Sequence, residues 1–274
     1  MMAPPNAFCN ELEQWVYNEF IGSVVIIEFN PKNSAALKEL WDSIRPIPDE
    51  DEEGHRERDK LSKETHSSTG FIVKESGRYI SVLTCAHVLG PAFKKEKPIT
   101  SSKVKEYFVS RILCDHRERR YRNGTETNRE YIEANVTEIS CENDLMLLTI
   151  SKTIFANYCN HAHRVIPMAE SYPKALQKVV LLSWPGYRHR TAVTGETSHP
   201  GRLISTVSIG NPYGFKMRLA EVNITSEDGS SGGPLINGAG EFVAVLHGGY
   251  GSGFSFFICL SDVRKTLTTW GVVH

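Results

Sequence analysis

Three short segments of this chain carry residues able to supply a nucleophile, a base and an orienting carboxylate. The first is Ser81-Val-Leu-Thr-Cys-Ala-His87-Val-Leu89, a histidine at the end of an apolar strand pattern. Imidazole titrates near neutral pH and can take and return a proton, although a histidine in that setting is more often a satisfied core residue. The second is Cys141-Glu-Asn-Asp144-Leu-Met-Leu-Leu148. Asn-Asp before an apolar strand is ordinarily a turn, because both side chains bond their own backbone. It also sets one carboxylate at the mouth of the strand, where it could orient an imidazole. The third is Glu227-Asp-Gly229-Ser-Ser231-Gly-Gly-Pro-Leu235. A flexible Gly/Ser turn is the bland reading, but apolar strand patterns resume at once at Leu235-Ile236 and at Phe242 to Leu246. A tight structured loop is therefore expected. Glycines beside a serine let successive backbone N–H groups aim at one point, as an oxyanion hole requires.

The elements that must position these residues read as mostly β. Runs such as Val24-Val-Ile-Ile27 are β-branched and bounded by turn residues. Further strand patterns lie at Tyr107 to Leu113, Glu133 to Val136, Lys178 to Ser183, Arg202 to Ile209, Phe215 to Val222, Glu241 to Leu246 and Gly253 to Leu260. Phe8, Leu12, Trp15, Val16 and Phe20 recur at helical spacing, and a last helix is expected to open at Ser261-Asp262 with a capping signature. Residues 45–69 are charge-dense with little apolar surface and read as a mobile insertion loop. The basic stretch from Asp115 to Asn128 reads as a solvated hairpin tip.

A length of 274 residues suffices for a two-lobed protein, and 40% hydrophobic with 23% charged residues excludes a disordered or fibrous class. A formal charge of -1 gives no whole-chain attraction for nucleic acid or anionic membrane. No lysine or arginine precedes Lys32, so neither a signal nor a transit peptide is expected, and apolar runs are too short to span a bilayer. Six cysteines without a Cys-x-x-Cys pair fit a reduced, cytoplasmic or nuclear setting. Cys159-Asn-His161-Ala-His163 resembles a metal-ligand cluster, but three ligands would have to converge without a visible fourth, and no metal site is expected.

Taken in order, Thr-Cys-Ala-His87, Asn-Asp144-Leu-Met-Leu-Leu and Gly229-Ser-Ser231-Gly-Gly-Pro-Leu resemble the signature segments of the chymotrypsin-like (trypsin-like) serine peptidases. The flanks Ser68-Thr-Gly-Phe-Ile-Val73 and Gly232-Gly-Pro-Leu-Ile-Asn237 are most similar to the HtrA/Deg branch, without the PDZ domain many of its members carry. Val88 stands where secreted trypsins place a cysteine for the disulfide beside the histidine, in keeping with an intracellular branch.

The resemblance implies two antiparallel β-barrels, about 21–160 and 165–260, within a protease domain at 21–262. Helical segments at 1–20 and 263–274 flank it. It also implies a serine endopeptidase acting through an acyl-enzyme. His87, Asp144 and Ser231 would be catalytic, and the N–H groups of Gly229 and Ser231 would form the oxyanion hole. No metal or organic cofactor is needed. A protein or peptide is the implied substrate, and homo-oligomer formation is left open.

The implied specificity pocket comprises Thr225, Ser226, Leu246, His247, Gly248 and Gly249. Thr225 stands where trypsins carry an aspartate, so Lys and Arg should not be selected. In the favoured register Leu246 faces the pocket and His247 replaces a small polar residue that bonds the triad aspartate. A shift by one would instead put His247 in the pocket, as in proteases that read Glu or Gln. Two rival functions are weighed. A silent pseudoprotease would use the fold to bind a partner. An esterase built on a Gly-x-Ser-x-Gly elbow would need a helix after the serine, where a strand pattern stands.

Overall fold

Val24-Val25-Ile26-Ile27 is buried on both faces and forms an inner strand of the first sheet in the computed structural model. Described are residues 11–92, 98–114, 131–159, 163–186, 188, 190–208, 210–211, 213–250 and 253–273. The expected hairpin tip at 115–128 falls outside them, as do Phe8 and His161.

Helix α1 (Glu11–Phe20) buries Val16 and Phe20, then leads to β1 (Val24–Pro31). Next comes α2 (Ser34–Ile44), where Asn33 caps the helix by accepting the Ala36 N–H at 3.1 Å, and Leu37, Trp41 and Ile44 face the core. Helix α3 (Glu52–Leu61) occupies the segment expected to be a mobile loop. Its periodic signal is absent because the helix is polar nearly all round. Local bonds hold it instead. Asp51 caps Gly54 N–H at 2.9 Å, and the buried Arg58 pairs with Asp42 of α2 at 2.8 Å.

The hairpin β2 (His66–Ser76) and β3 (Tyr79–Cys85) follows, then α4 (Ser101–Tyr107) and β4 (Phe108–Leu113). Short β5 (Ile132–Glu133), β6 (Asn135–Ser140), β7 (Leu145–Ser151) and α5 (Lys152–Tyr158) complete the first lobe. Its seven strands run in the order β5-β4-β1-β2-β3-β7-β6, every neighbouring pair antiparallel. The sheet curls without closing. Its edges are β5 and β6, against which α5 and α4 pack.

The second lobe holds β8 (Lys178–Ser183), β9 (Thr191–Leu203), α6 (Ile204–Val207), β10 (Arg218–Val222), β11 (Pro234–Ile236), β12 (Phe242–Tyr250) and β13 (Phe254–Cys259). These strands close as a barrel in the order β10-β13-β12-β11-β8-β9. The strand expected at 202–209 lies earlier, and α6 takes up most of that span. Pro200 and Gly201 sit at a register shift between β9 and β10, which accommodates a residue that cannot donate to the ladder.

Helix α7 (Leu260–Thr269) begins with Cys259 at its N-cap, and Asp262 accepts the Arg218 N–H at 2.8 Å instead of capping the helix. Buried side chains of both lobes form one continuous core, with the rings of Phe71 and Phe242 5.1 Å apart across the junction. Among the described residues no helix is long and apolar enough to cross a membrane.

Candidate active site

Strand pairing brings the first two chemical segments together. In the antiparallel ladder of β3 and β7, Cys85 stands opposite Leu145, so the residues just past β3 meet those just before β7. His87 and Asp144 are the side chains this register delivers. Asp144 is fully buried and sits at positive φ (54°), a left-handed conformation that aspartate tolerates better than most residues. Its Oδ1 accepts the N–H groups of Ala86 at 3.0 Å and His87 at 2.7 Å. Its Oδ2 accepts Nδ1 of His87 at 2.7 Å.

A second imidazole shares that oxygen. Nδ1 of His247 lies 2.5 Å from Oδ2 of Asp144, and the two histidine rings meet edge to face at 5.2 Å. Burial by itself would raise the Asp144 pKa, but the two imidazoles outweigh it and hold the carboxyl far below its ordinary value. For His87 burial acts in the opposite sense, lowering the pKa. The Asp144 charge and the adjacent Cys85 dominate and hold the imidazole well above its ordinary range.

Ser231 comes from the other lobe, on the loop that leads into β11. That loop is bound to β12 by Gly232 N–H donating to Leu246 O at 2.8 Å and Leu246 N–H to Gly233 O at 2.9 Å. Thr69 of β2 ties it to the first lobe: its N–H donates to Ser231 O at 2.9 Å and its hydroxyl to Gly229 O at 2.7 Å. The same Thr69 hydroxyl accepts the buried N–H of Trp184 at 2.9 Å. Gly232, at φ 86°, packs so closely here that a Cβ would lie 2.2 Å from Thr69 O. In the sequence Thr69 stands only within the Ser68–Val73 flank, and nothing in its local pattern marks a contact 160 residues away.

Gly186 N–H donates to Asp228 O at 3.3 Å. In a trans peptide the N–H opposes the carbonyl, so the Gly229 N–H points away from Gly186. Among the described residues neither Gly229 N–H nor Ser231 N–H is paired. The Ser231 hydroxyl donates to His247 O at 3.2 Å, and no hydrogen bond joins it to His87. Nε2 of His87 instead has Cys85 Sγ at 3.9 Å, a neighbour that sequence reasoning did not single out.

Two cavities flank Ser231 and His87. One, of about 380 Å³, is lined by Thr225, Ser226, His247, Gly248, Gly249 and Phe254 among others. Ser255 donates to Ile224 O at 2.7 Å and to the Ser226 hydroxyl at 2.9 Å beside it. The other, of about 1070 Å³, is lined by Leu61, Glu64, His66, Val88, Pro185 and Gly229 among others, so the end of α3 forms part of its wall.

Leu246 does not line either cavity. It is fully buried. A bulge follows it: Leu246 pairs with Phe257 and Gly248 with Phe256, which leaves His247 without a cross-strand partner in that ladder and breaks strict alternation. His247 thereby reaches Asp144 and borders the pocket at once.

A curled antiparallel sheet and a closed six-strand barrel, with His, Asp and Ser meeting where they join, define the chymotrypsin-like double-barrel fold. The trypsin-like peptidase domain matches residues 68–245, and the chain belongs to that family. Among solved structures it is similar to an inactive-form mutant of Rv3671c from M. tuberculosis H37Rv. Identity is 17% and the TM-score 0.59, over 100% of this chain and 97% of the other. The active form of the Rv3671c protease gives 17% identity and a TM-score of 0.59, over 100% and 90% of the two chains. Among curated proteins none matches the chain.

Proposed function

We propose that this chain is a serine endopeptidase that cleaves peptide bonds through an acyl-enzyme, with Ser231 as nucleophile, His87 as base and Asp144 as its orienting carboxylate. The observation that carries the reading is the Asp144–His87 bond of 2.7 Å beside a serine held in the same cavities. Rotation of the Ser231 hydroxyl from His247 O towards His87 starts the reaction. Ser231 Oγ attacks the carbonyl carbon while His87 Nε2 takes its proton, and Asp144 stabilises the imidazolium. The N–H groups of Gly229 and Ser231 receive the oxyanion, a contribution of about 10²–10³ in rate per donor. His87 returns the proton to the leaving amine; water, deprotonated by His87, then attacks the acyl carbon, and His87 passes that proton to Ser231 Oγ as the ester bond breaks.

The 380 Å³ cavity is assigned to the side chain before the cut and the larger one to residues after it. Within the family, affiliation to the HtrA/Deg branch is proposed on the flanks of Ser68–Val73 and Gly232–Asn237. None of the described cysteines is in a disulfide, which is compatible with the proposed reduced, cytoplasmic or nuclear setting. The esterase elbow lacks support, since a strand, β11, follows Ser231. The resting Ser231–His247 O bond favours a second reading, a silent binding fold.

Turnover of a peptide library by wild type, Ser231→Ala and His87→Ala separates the two. Loss of about 10⁴–10⁶ in each variant supports the enzyme. A folded wild type without turnover supports the silent fold.

A further inference from the structure

Three donor atoms from separate segments of the first lobe meet outside the cleft. Cys114 follows β4, Cys159 caps the C-terminus of α5, and His163 lies four residues further on. Their two sulfurs and a ring nitrogen all fall within 4.8 Å of one another. Both cysteines lie outside any disulfide and are almost completely buried. The remaining described cysteines lie elsewhere: Cys141 donates to Ile99 O, Cys259 to Pro200 O, and Cys85 neighbours His87.

The histidine is set up as a ligand. Its Nδ1 lies 2.8 Å from Gly22 O, and a carbonyl only accepts, so Nδ1 carries a proton. In the neutral ring Nε2 then presents its lone pair, 3.3 Å from Cys159 Sγ. Metal-bound imidazoles are held in the same way, the second nitrogen donating to a carbonyl or carboxylate. A sulfur at about 2.3 Å and a nitrogen at about 2.0–2.1 Å from one tetrahedral zinc stand about 3.5 Å apart. The Cys159–His163 separation therefore already approximates one edge of such a tetrahedron. Phe155 packs edge to face on His163 at 4.5 Å and gives the site an apolar wall.

We propose that Cys114, Cys159 and His163 form a binding site for a thiophilic divalent cation, zinc in the first instance, that staples the end of β4 to α5 and the turn before β1. Binding replaces two S–H bonds by two S–metal bonds and releases two protons per ion, while Nε2 coordinates without proton loss. Water or another donor takes the fourth position. A sequence reading could not assemble this set, because Cys114 stands 45 positions before Cys159.

The test is titration of the reduced, chelator-treated full chain with Co²⁺, followed by displacement with Zn²⁺. One equivalent of Co²⁺ should bring up thiolate charge-transfer absorption in the near ultraviolet together with intense tetrahedral d–d bands. Zn²⁺ should displace both and raise the thermal midpoint. His87, Asp144 and His247 also cluster closely enough to take an ion, and Cys85 Sγ lies 3.9 Å from His87, so a band that survives in both Cys114→Ser and Cys159→Ser would place the ion there and overturn the proposal.

Cys114→Ser and Cys159→Ser should each remove or greatly weaken that band. His163→Asn should weaken binding by at least about tenfold, the lower end of what losing even an outer-shell partner costs. No sulfur charge-transfer band from wild type at excess Co²⁺ overturns the proposal whether or not the variants fold. So does an unchanged band in folded Cys159→Ser.

Discussion

Oδ2 of Asp144 is shared by two histidines, and the nearer is His247, whose Nδ1 lies 2.5 Å away. The carboxylate can only accept from it, so His247 spends its Nδ1 proton on the oxygen that also orients His87. With Ala86 and His87 N–H on Oδ1, all four contacts hold Asp144 in one geometry.

His247→Ala should therefore lower kcat by up to about 10²-fold, the scale of a small misplacement of a reacting group. It should also raise the midpoint of the pH–rate limb, because Asp144 then places more of its charge on His87. Residue preference before the cut should stay as in wild type. Cleavage profiles with kcat/KM at several pH values check this. Dominant cleavage after Glu or Gln, lost only in the variant, would make His247 the group that reads the side chain before the cut and contradict this.

Activity should follow deprotonation of His87. Its pKa is held above the ordinary histidine value of about 6.5, so kcat/KM should rise with a midpoint on the alkaline side of that value. The stability terms run oppositely. The raised His87 pKa contributes stability that is complete below about pH 6.5 and fades as pH rises through its folded value. The depressed Asp144 pKa contributes stability above about pH 3.9 that fades as pH falls through its folded value. Asp144→Asn should flatten both dependences in denaturant titrations across pH. A rate limb centred below pH 6 contradicts the assignment.

Thr69 should behave as a positioning residue. Thr69→Val keeps the shape but leaves the buried Trp184 N–H and Gly229 O without their hydroxyl partner, each an expected loss of about 1–3 kcal/mol. kcat should fall with the stability, and Thr69→Ser should restore most of both. Urea midpoints and turnover read the effect; a Thr69→Val variant indistinguishable from wild type rejects it.

Much of this was legible in local pattern. β-branched runs marked β1 and β8, and the His87, Asp144 and Ser231 segments each carried their own turn and strand chemistry. What escaped was set by long-range contact or by a break in periodicity. Helix α3 is held by a cap and by Arg58 and not by an apolar stripe. The bulge at His247, which interrupts the alternation along β12, has no mark in the local sequence. Thr69 acts through partners on another lobe, which no local motif encodes.

The pocket before the cut should reject Lys and Arg. Neutral hydroxyls of Thr225, Ser226 and the neighbouring Ser255 stand where a fixed charge would be needed to pair a buried cation. Glu227 and Asp228 line the same cavity, but both are exposed, and the Glu227 carboxylate is engaged by Arg188, with Nε to Oε2 at 3.0 Å, so neither supplies a buried charge. A peptide-library profile should favour small or apolar residues. Cleavage dominated by Lys or Arg contradicts this reading of the pocket.

The central claim is that Ser231, activated by His87, is the nucleophile. Treating the folded chain with a fluorophosphonate and mapping the adduct by peptide mass spectrometry tests it most directly. The account predicts a single adduct on Ser231, absent in Ser231→Ala and formed at least about 10³-fold more slowly in His87→Ala. A folded wild type that stays unlabelled, or carries the adduct on another residue, would contradict it.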